Sequence, residues 1–378
     1  MKALEFYSGI GGLHLALARS QVEATITHAF DWDPNACEVY SANFGSGIAK
    51  KTDISALTAS YLASLGASLW LLSPACQPYT VLNPSAKGEL DPRAKSFLHL
   101  VQDVLPELAT ENAHPTHFLV ENVAGFETSS TRQILVSTLR QLGYTVVEFL
   151  VTPLQFGIPN SRLRYYLLAK RLPHAFRVVK TGDAGILRHI PGRESTLWVD
   201  PRLANTSTAK EVATVHEIRE YLDPEPVEGY AIPDKILWKW GKLFDIVLPS
   251  SRRTCCFTRG YTQLVERAGS ILQTNETQDT TAVFDAFLKS QASCSPDLET
   301  PSDAVRTLDV LGLRYFSPEE LLRLFAFTAS HSAGNSPSPS HSFTWPLGMS
   351  RKTKYRLIGN SVNVKVVQEL INYLFEEL

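Results

Sequence analysis

Over its first 170 residues the chain alternates between short apolar runs and helical patterns, and this alternation constrains the fold most. Strands joined by helices form a parallel sheet with helices on both faces, so the chain is expected to have an α/β fold. The predicted helices cover residues 11–20, 35–43, 96–108 and 131–142, and a late pair of strands is predicted at residues 145–151 and 164–169.

The chain opens with a strand, a glycine-rich turn and a helix. Residues 3–7 are predicted to form the strand, the turn reads Ser-Gly-Ile-Gly-Gly at residues 8–12, and an apolar helix follows. This order is typical of a nucleotide site, where glycines let a ligand approach the backbone closely. The spacing differs from the complete dinucleotide fingerprint, so the turn alone does not identify the ligand.

Two acidic residues follow the next two strand-like segments. Asp31 ends the second predicted strand, where a carboxylate is well placed to bind a ribose diol. The ring of Trp32 either stacks on an adenine or is an ordinary core or surface aromatic. Asp53 precedes Ile54, and it either faces an adenine amino group or caps a short helix.

A cysteine stands between two prolines, directly after a buried strand. The strand is residues 69–72, and Cys76 follows it. Residues 117–120 predict a neighbouring strand that leads into Glu121, which would place a carboxyl group at the same sheet edge as the thiol. A thiol beside an acid can add to a pyrimidine ring. Taken singly, Cys76 also fits a small buried hydrophobe, and Glu121 fits a surface charge or a helix cap.

In their order along the chain, these segments resemble the motifs of the cytosine-C5 methyltransferases that use S-adenosylmethionine. The resemblance covers nearly the whole chain and rests on residues 6–12 (FYSGIGG), Asp31 with Asp53, residues 73–78 (SPACQP), 121–123 (ENV), 155–164 (QFGIPNSRLR) and 359–364 (GNSVNV). The family usually has a second proline where this chain has Ala75, so a looser catalytic loop is expected.

The resemblance implies a role for each matching residue. Cys76 would attack carbon 6 of cytosine, and Glu121 would hold N3 and the exocyclic amine. Arg162 and Arg164 would brace the base or the catalytic loop, and Asn122 would orient it. The implied cofactor is S-adenosyl-L-methionine, with S-adenosyl-L-homocysteine as product, and its expected contacts are Phe6, Ser8, Gly9, Ile10, Gly11, Gly12, Asp31, Trp32, Asp53, Ile54, Asn360, Ser361 and Asn363. No metal is expected.

One further segment resembles a single branch of this family. Residues 251–262 contain the Cys-Phe-Thr signature of eukaryotic tRNA methyltransferases, and residues 129–139 and 160–166 resemble that branch too. The resemblance implies methylation of cytosine 38 in the anticodon loop of aspartate tRNA. The residues expected to contact this substrate are Arg252, Arg253, Cys256, Phe257, Thr258 and Arg259. A purely structural role for Cys255 and Cys256 in the core is the alternative.

Charge and composition limit the partners. The 36 basic and 38 acidic residues give a net charge of −2, so nucleic-acid binding must rely on a local basic patch. No apolar run is long enough to span a membrane, and no signal segment opens the chain. The five cysteines show neither a paired framework nor metal-ligand spacing. We therefore expect a monomeric intracellular protein of the cytoplasm, the nucleus or both.

The alternation fades after about residue 175 and helical periodicity resumes at Ser317-Pro318. We predict a discontinuous catalytic domain, residues 1–174 and 316–378, and a smaller target-recognition domain, residues 175–315. Residues 291–303 and 330–342 are polar and are predicted to be mobile loops.

Two other functions stay open at this point. A DNA cytosine methyltransferase would use the same chemistry, and the Cys-Phe-Thr segment and the lack of an appended DNA-binding module speak against it. A non-catalytic nucleic-acid-binding relative is the other alternative. The presence of Cys76, Glu121 and Arg162 speaks against that reading.

Overall fold

The computed structural model describes residues 1–79, 88–176, 185–193, 215–225, 228–293, 302–331 and 342–376. Most of the two predicted mobile loops lies outside these residues. The strands of the large sheet are β1 (Lys2–Phe6), β2 (Thr25–Asp31), β3 (Ala49–Lys51), β4 (Leu69–Leu72), β5 (His117–Val123), β6 (Tyr144–Val151) and β7 (Arg164–Arg171). They form one seven-stranded sheet in the order β3-β2-β1-β4-β5-β7-β6, which confirms the predicted α/β class.

Strand β7 runs antiparallel to both of its neighbours, β5 and β6, which the sequence pattern did not predict. A parallel return needs a crossover connection, usually a helix. The segment between β6 and β7 instead contains only the short 3₁₀ turn Pro153–Phe156, so the chain doubles back. The reversal pairs Arg164, at the start of β7, with Val123, at the end of β5. The arginine motif therefore lies at the carboxyl edge of the parallel strands.

Helices cover both faces of the sheet, and others lie in the later part of the described chain. They are α1 (Gly12–Ala18), α2 (Pro34–Phe44), α3 (Ala59–Leu65), α4 (Lys95–Leu98), α5 (Leu105–Thr110), α6 (Ser130–Gln141), α7 (Asp234–Trp240), α8 (Thr280–Ala292), α9 (Ser302–Arg306), α10 (Pro318–Leu324), α11 (Arg351–Gly359) and α12 (Val364–Phe375). The four early helices predicted from the sequence are present, the third interrupted by a π-helical segment, His99–Val104. None of the helices in the described ranges is long and apolar enough to cross a membrane.

The predicted start of α10 is confirmed in detail. Ser317 accepts a hydrogen bond from the backbone N–H of Glu320, and the Glu320 carboxylate accepts one from the backbone N–H of Ser317. This reciprocal capping box satisfies two amides that the helix leaves unpaired. By contrast, α7 and α8 lie where the alternation fades, and the sequence reasoning did not predict them.

Apolar side chains form separate clusters on the two faces of the large sheet. One cluster includes residues of α1 and α12, and the other includes residues of α3, α5 and α6. A third, smaller cluster surrounds a second sheet of three strands, β8 (Ile246–Val247), β9 (Ile271–Gln273) and β10 (Leu313–Arg314). Phe257 and Tyr261 belong to the first cluster, so the Cys-Phe-Thr segment packs directly on the core beside the large sheet.

Candidate active site

The thiol and the acid that the sequence pairs follow neighbouring parallel strands. β4 pairs with β5 in the register Leu72↔Val120. Since parallel strands end at the same sheet edge, the loop carrying Cys76 leaves the sheet where Glu121 stands near the end of β5. Burial raises the pKa of the Cys76 thiol, the charge of Arg164 opposes this rise, and the charge of Glu121 adds to it.

The catalytic loop, residues 73–79, is bonded to β5 before Cys76 and closes a turn after it. The Asn122 side chain donates from Nδ2 to the carbonyl oxygen of Pro74 at 3.2 Å, and Asn122 is 1% exposed. On the other side, the backbone N–H of Tyr79 donates to the carbonyl of Cys76 at 3.0 Å. The backbone around the thiol is therefore held although Ala75 stands where the family usually has proline.

Glu121 and Arg164 form a buried pair beside the thiol. Arg164 Nε lies 3.5 Å from Glu121 Oε1, and Glu121 is 8% exposed. Burial raises the pKa of Glu121, and the nearby guanidinium groups of Arg164 and Arg162 only partly oppose this rise. Burial also raises the pKa of Cys76, again opposed by Arg164. A carboxyl with a raised pKa can donate a hydrogen bond or a proton to a ring nitrogen.

Arg162 is used differently from Arg164. It is 3% exposed, and its guanidinium donates to the carbonyl oxygens of Phe257 at 2.9 Å, Gly359 at 3.2 Å and Ser361 at 2.5 Å. These carbonyls join the Cys-Phe-Thr segment to the late motif. The buried Nε of Arg162 has no hydrogen-bond partner among the described residues, and the predicted contact of Arg162 with the base or the catalytic loop stays a prediction.

The two adjacent cysteines of the Cys-Phe-Thr segment differ sharply. Cys256 Sγ accepts hydrogen bonds from Arg162 at 3.3 Å and from Arg164 at 3.4 Å. Burial acts to raise the pKa of Cys256, but the two guanidinium groups outweigh it and hold the pKa below its ordinary value. Burial raises the pKa of Cys255 to about 12. The purely structural alternative thus suits Cys255, whereas Cys256 lies within the arginine cluster.

Phe257 does not fit its predicted contact with the substrate. Its side chain is 0% exposed and packs edge-on against Tyr261, with 5.0 Å between ring centroids. Burying this apolar ring attaches the segment to the core, so the prediction is corrected. The backbone of Thr258 lies so close to Gly359 that a Cβ at that glycine would come within 2.2 Å of the Thr258 carbonyl carbon. Only glycine allows this approach.

The basic residues of this segment also divide. Arg252 donates to the backbone carbonyl of Val215 and, at 2.9 Å, to the carboxylate of Glu217. Arg252 nevertheless remains exposed, so its predicted contact with a substrate phosphate stays a prediction in which the phosphate would compete with Glu217. Arg253 and Arg259 are exposed.

The glycine turn keeps an open space beside its backbone. Asp31 accepts from the N–H of Gly9 through Oδ2 at 2.7 Å and from the N–H of Asp33 through Oδ1 at 2.8 Å. Gly9 has φ 53°, and no atom lies within 4 Å of a Cβ built on it. The buried Ser8 Oγ has no hydrogen-bond partner among the described residues. Trp32 is 69% exposed, which excludes the core-aromatic alternative.

The remaining residues predicted to contact the cofactor divide by side-chain burial. Phe6, Ile10 and Ile54 have buried side chains, so their backbone atoms are what the site can use. A Cβ on Gly11 would lie 2.1 Å from the ring of Phe44. Asp53 is exposed and caps the short turn through Oδ1, which accepts from the N–H of Ser55 at 2.9 Å. The predicted cap is therefore present, and the exposed carboxylate also faces solvent.

The late motif, residues 359–364, contacts the glycine turn, and its side chains differ in exposure and in hydrogen bonding. A Cβ on Gly12 would lie 3.0 Å from Ser361 Oγ, so the two segments are in direct contact. Asn360 is exposed. Asn363 is 2% exposed, and its Oδ1 accepts from the N–H of Val366 as the N-cap of α12. The side chain of Asn363 thus serves the helix, so its predicted cofactor contact would have to come from its backbone.

Comparison with known proteins places this site in a family. The C-5 cytosine-specific DNA methylase family matches residues 1–376. The chain belongs to this family. A tRNA (cytosine(38)-C(5))-methyltransferase of Schizosaccharomyces pombe is 38% identical over 379 residues, covering 100% of this chain and 98% of that protein. A DNMT2 triple mutant from Spodoptera frugiperda has a structure with a TM-score of 0.76 and 32% identity, covering 99% of each chain.

One further relative bears on the substrate. A protein of Dictyostelium discoideum named DNA (cytosine-5)-methyltransferase is 33% identical over 402 residues, covering 99% of this chain and 94% of that protein. The names of these relatives thus include both RNA and DNA methyltransferases at similar identity. The family is established by these matches, whereas the nucleic acid that this methyltransferase modifies is a separate question.

Sequence reasoning overlooked two tyrosines of this methyltransferase. Tyr7 directly precedes the glycine turn and has φ 58°, and the hydroxyl of Tyr79 donates to Thr131 at 3.1 Å. Both tyrosines adjoin residues of the predicted motifs. A hydroxyl group in that position was the sequence signal that could have identified them as hydrogen-bonding residues. The hydrogen-bond partner of each hydroxyl could not be predicted from the sequence, because it lies in a helix distant in the chain.

Proposed function

We propose that this chain transfers a methyl group from S-adenosyl-L-methionine to carbon 5 of cytosine in tRNA, at cytosine 38 of the aspartate tRNA anticodon loop. The proposal rests chiefly on one observation, the buried Glu121–Arg164 pair beside Cys76 at one sheet edge. The similarity of the whole chain to the S. pombe tRNA (cytosine(38)-C(5))-methyltransferase supports the choice of substrate.

In the proposed reaction the target cytosine leaves its loop and enters the pocket, because its ring atoms are otherwise stacked. The Cys76 thiolate forms a bond from sulfur to carbon 6, and the ring electrons move toward N3. Glu121 holds N3 and the exocyclic amine and stabilises that charge. Carbon 5 gains electron density and would accept the methyl group, whose bond to the sulfonium breaks and leaves the donor as a neutral thioether. Loss of the carbon 5 proton to a base then returns electrons to the ring and expels the Cys76 thiolate.

The residues of the glycine turn fit the proposed cofactor. The open space at Gly9 admits a ligand against the backbone, and the unpartnered Ser8 hydroxyl supplies a polar contact. Asp31 stands where a carboxylate would accept hydrogen bonds from a ribose diol. The exposed Trp32 ring is available to stack on adenine. When bound, S-adenosylmethionine supplies an electrophilic methyl group on a sulfonium.

The target-recognition region, residues 175–315, would place tRNA over this edge. Its Cys-Phe-Thr segment joins the arginine cluster through Cys256 and presents the exposed Arg253 and Arg259 beside it. Exposed cations suit phosphate contacts, which position a nucleic acid without reading its sequence. A monomer in an intracellular, reducing compartment, where Cys76 remains a thiol, completes the proposal.

A DNA cytosine methyltransferase is the second candidate. It is favoured by the similarity to the Dictyostelium protein of that name, at an identity close to that of the tRNA-methylating relatives. The chemistry at Cys76 and Glu121 would be identical, so the substrate face alone separates the two.

One assay separates the candidates. Methyl transfer from radiolabelled cofactor is measured on an aspartate tRNA transcript, on the same transcript with cytosine 38 replaced by uracil, and on duplex DNA. We expect label on the first substrate only. Label on both transcripts would move the target away from cytosine 38. Stronger labelling of DNA than of tRNA would favour the second candidate.

A further inference from the structure

Tyr7 has a backbone conformation that is unusual for its residue type. It lies between Phe6, the last residue of β1, and Ser8 of the glycine turn, and its φ of 58° is in the left-handed region. A bulky residue in this region is strained unless its surroundings hold it, and such strain concentrates at functional sites. The contacts that hold Tyr7 therefore indicate what its conformation serves.

Two hydrogen bonds of Tyr7 reach residues that precede and follow Cys76 in the chain, and the one with Ser73 contacts the catalytic loop itself. Its carbonyl accepts from Ser73 Oγ at 2.9 Å, at the start of the catalytic loop. Its hydroxyl is 2.9 Å from Ser96 Oγ, in α4, which follows the catalytic loop in the chain. The contacts thus lie on either side of Cys76 in sequence.

The surroundings of Tyr7 keep its hydroxyl protonated and hydrogen-bonded to Ser96. The ring is half-buried against the cluster on the α3 and α5 face of the sheet, and burial raises the pKa of the hydroxyl above its ordinary value. On its other side, Tyr7 leads directly into Ser8 and Gly9, where the turn is open to a ligand. One residue therefore bounds the cofactor turn and contacts the catalytic segment.

We propose that Tyr7 is a positioning residue that couples the cofactor turn to the catalytic loop. A ligand packed against the backbone of Ser8 and Gly9 bears on the turn whose shape Tyr7 maintains. The bonds to Ser73 and Ser96 pass that constraint to the segment around Cys76, so the thiol and the methyl donor are held in one geometry. This inference rests on the proposed function for its catalytic consequence.

Matched variants separate the hydroxyl from the ring. Tyr7→Phe keeps the ring in the core but removes the bond to Ser96, and Ser96→Ala removes the same bond from the other side. Ser96→Thr retains a hydroxyl and serves as the rescue variant. Tyr61→Phe is the control, because Tyr61 is an exposed tyrosine of α3 outside the site.

The coupling is measured first without catalysis. Amide hydrogen exchange of residues 73–79 is followed with and without S-adenosylhomocysteine, and binding of the latter is measured by calorimetry. We expect this ligand to slow exchange in the wild type, Tyr61→Phe and Ser96→Thr. In Tyr7→Phe and Ser96→Ala the slowing is lost, while affinity stays within a few-fold. Equal slowing in Tyr7→Phe, or none in the wild type, would overturn the proposal.

Single-turnover methyl transfer to tRNA supplies the second readout. Tyr7→Phe and Ser96→Ala should each lower the rate by about tenfold, and the double variant should be no slower than either, as for two partners of one bond. If the wild type methylates tRNA and Tyr7→Phe matches it, the coupling is wrong and the function stands. If the wild type transfers no methyl group to tRNA or DNA, the function is wrong, and hydrogen exchange still decides the role of Tyr7.

Discussion

The carboxyl edge of the large sheet and the Cys-Phe-Thr segment beside it employ charged residues in different ways. At the sheet edge, Glu121 and Arg164 are buried and paired with each other. In the segment, Arg252 is bonded to Glu217, whereas Arg253 and Arg259 extend into solvent. The hydrogen bonds between paired strands fix the position of a charged residue at a strand end. The position of a charged residue in a loop depends on the side chains that pack around it.

This comparison shows which sequence signals are reliable in this fold. The strand ends brought Cys76 and Glu121 together because β4 and β5 are adjacent and parallel. Residues 252–259 were predicted as one substrate face, yet Arg252 is paired with Glu217, Arg253 and Arg259 are exposed, and Phe257 is buried in the core.

Cys76→Ala should have the largest effect and abolish methyl transfer. The alanine has no sulfur to add to carbon 6, while the cofactor turn lies on a separate loop, so S-adenosylhomocysteine affinity should stay within a few-fold by calorimetry. Cys37→Ala, which removes a half-buried cysteine of α2, is the control. Normal turnover by the Cys76 variant would rule out the covalent mechanism.

Glu121→Gln should lower the rate of methyl transfer by roughly 10²–10⁴-fold, the usual range for losing a positioned acid or base. Glutamine has nearly the same shape but cannot transfer a proton to N3, and Arg164 loses its carboxylate partner. Single-turnover kinetics measure the effect, with Glu23→Gln at an exposed position as the comparison. A loss of less than threefold would remove Glu121 from the chemistry.

Asp31→Ala should weaken binding of S-adenosylhomocysteine. The carboxylate would lose charge-assisted hydrogen bonds to the ribose, each worth ~1.5–3 kcal/mol, and its acceptor for the N–H of Gly9. Calorimetry should then show an affinity lower by about ten- to a hundredfold. Asp31→Asn keeps an acceptor for the N–H of Gly9 but loses the charge. Its affinity for S-adenosylhomocysteine should lie between those of the wild type and Asp31→Ala. Unchanged affinity in both variants would place the ribose elsewhere.

The pH dependence should follow the Cys76 thiol. Burial raises its pKa, and a thiol below its pKa is mostly protonated, so kcat/KM should rise as the pH approaches that pKa from below. The expected slope is about tenfold per pH unit. Because the charge of Arg164 opposes the rise in the Cys76 pKa, Arg164→Met should move the rising part of the pH–rate profile to higher pH. A profile that is flat through neutral and alkaline pH would show that thiolate formation does not limit the reaction.

Reversing the exposed arginines should have the smallest effect. Arg253→Glu with Arg259→Glu should weaken tRNA binding and flatten its salt dependence by roughly one unit of slope for each lost phosphate contact. Arg252→Glu should change the slope less, since Glu217 already pairs with Arg252. Filter binding across a salt series measures both variants, and cofactor affinity is the control. Identical slopes for both would remove the distinction between the exposed and paired arginines.

A large part of the fold and of the site could be predicted from the sequence. The alternation of elements predicted the α/β sheet, and the Ser317-Pro318 pair predicted the start of α10. The motifs predicted that Cys76 and Glu121 meet at one edge. These signals are local, since periodicity, capping residues and strand ends depend on neighbours within a few positions.

Three contacts could not be predicted in this way. Arg162 and Arg164 are two positions apart and both donate to Cys256, yet Arg162 bonds the carbonyls of three distant residues, whereas Arg164 pairs with Glu121. Phe257 stands in a substrate signature and is a core residue.

The sequence by itself therefore determined the type and order of the elements and which residues stand at the strand ends. The tertiary structure decided the direction of β7, the separate uses of the two arginines, and the bond from Tyr7 to Ser96. The reason is physical. Backbone hydrogen bonding and side-chain periodicity are properties of short segments, whereas the partner of a buried polar group is set by distant segments that must satisfy it when the core closes.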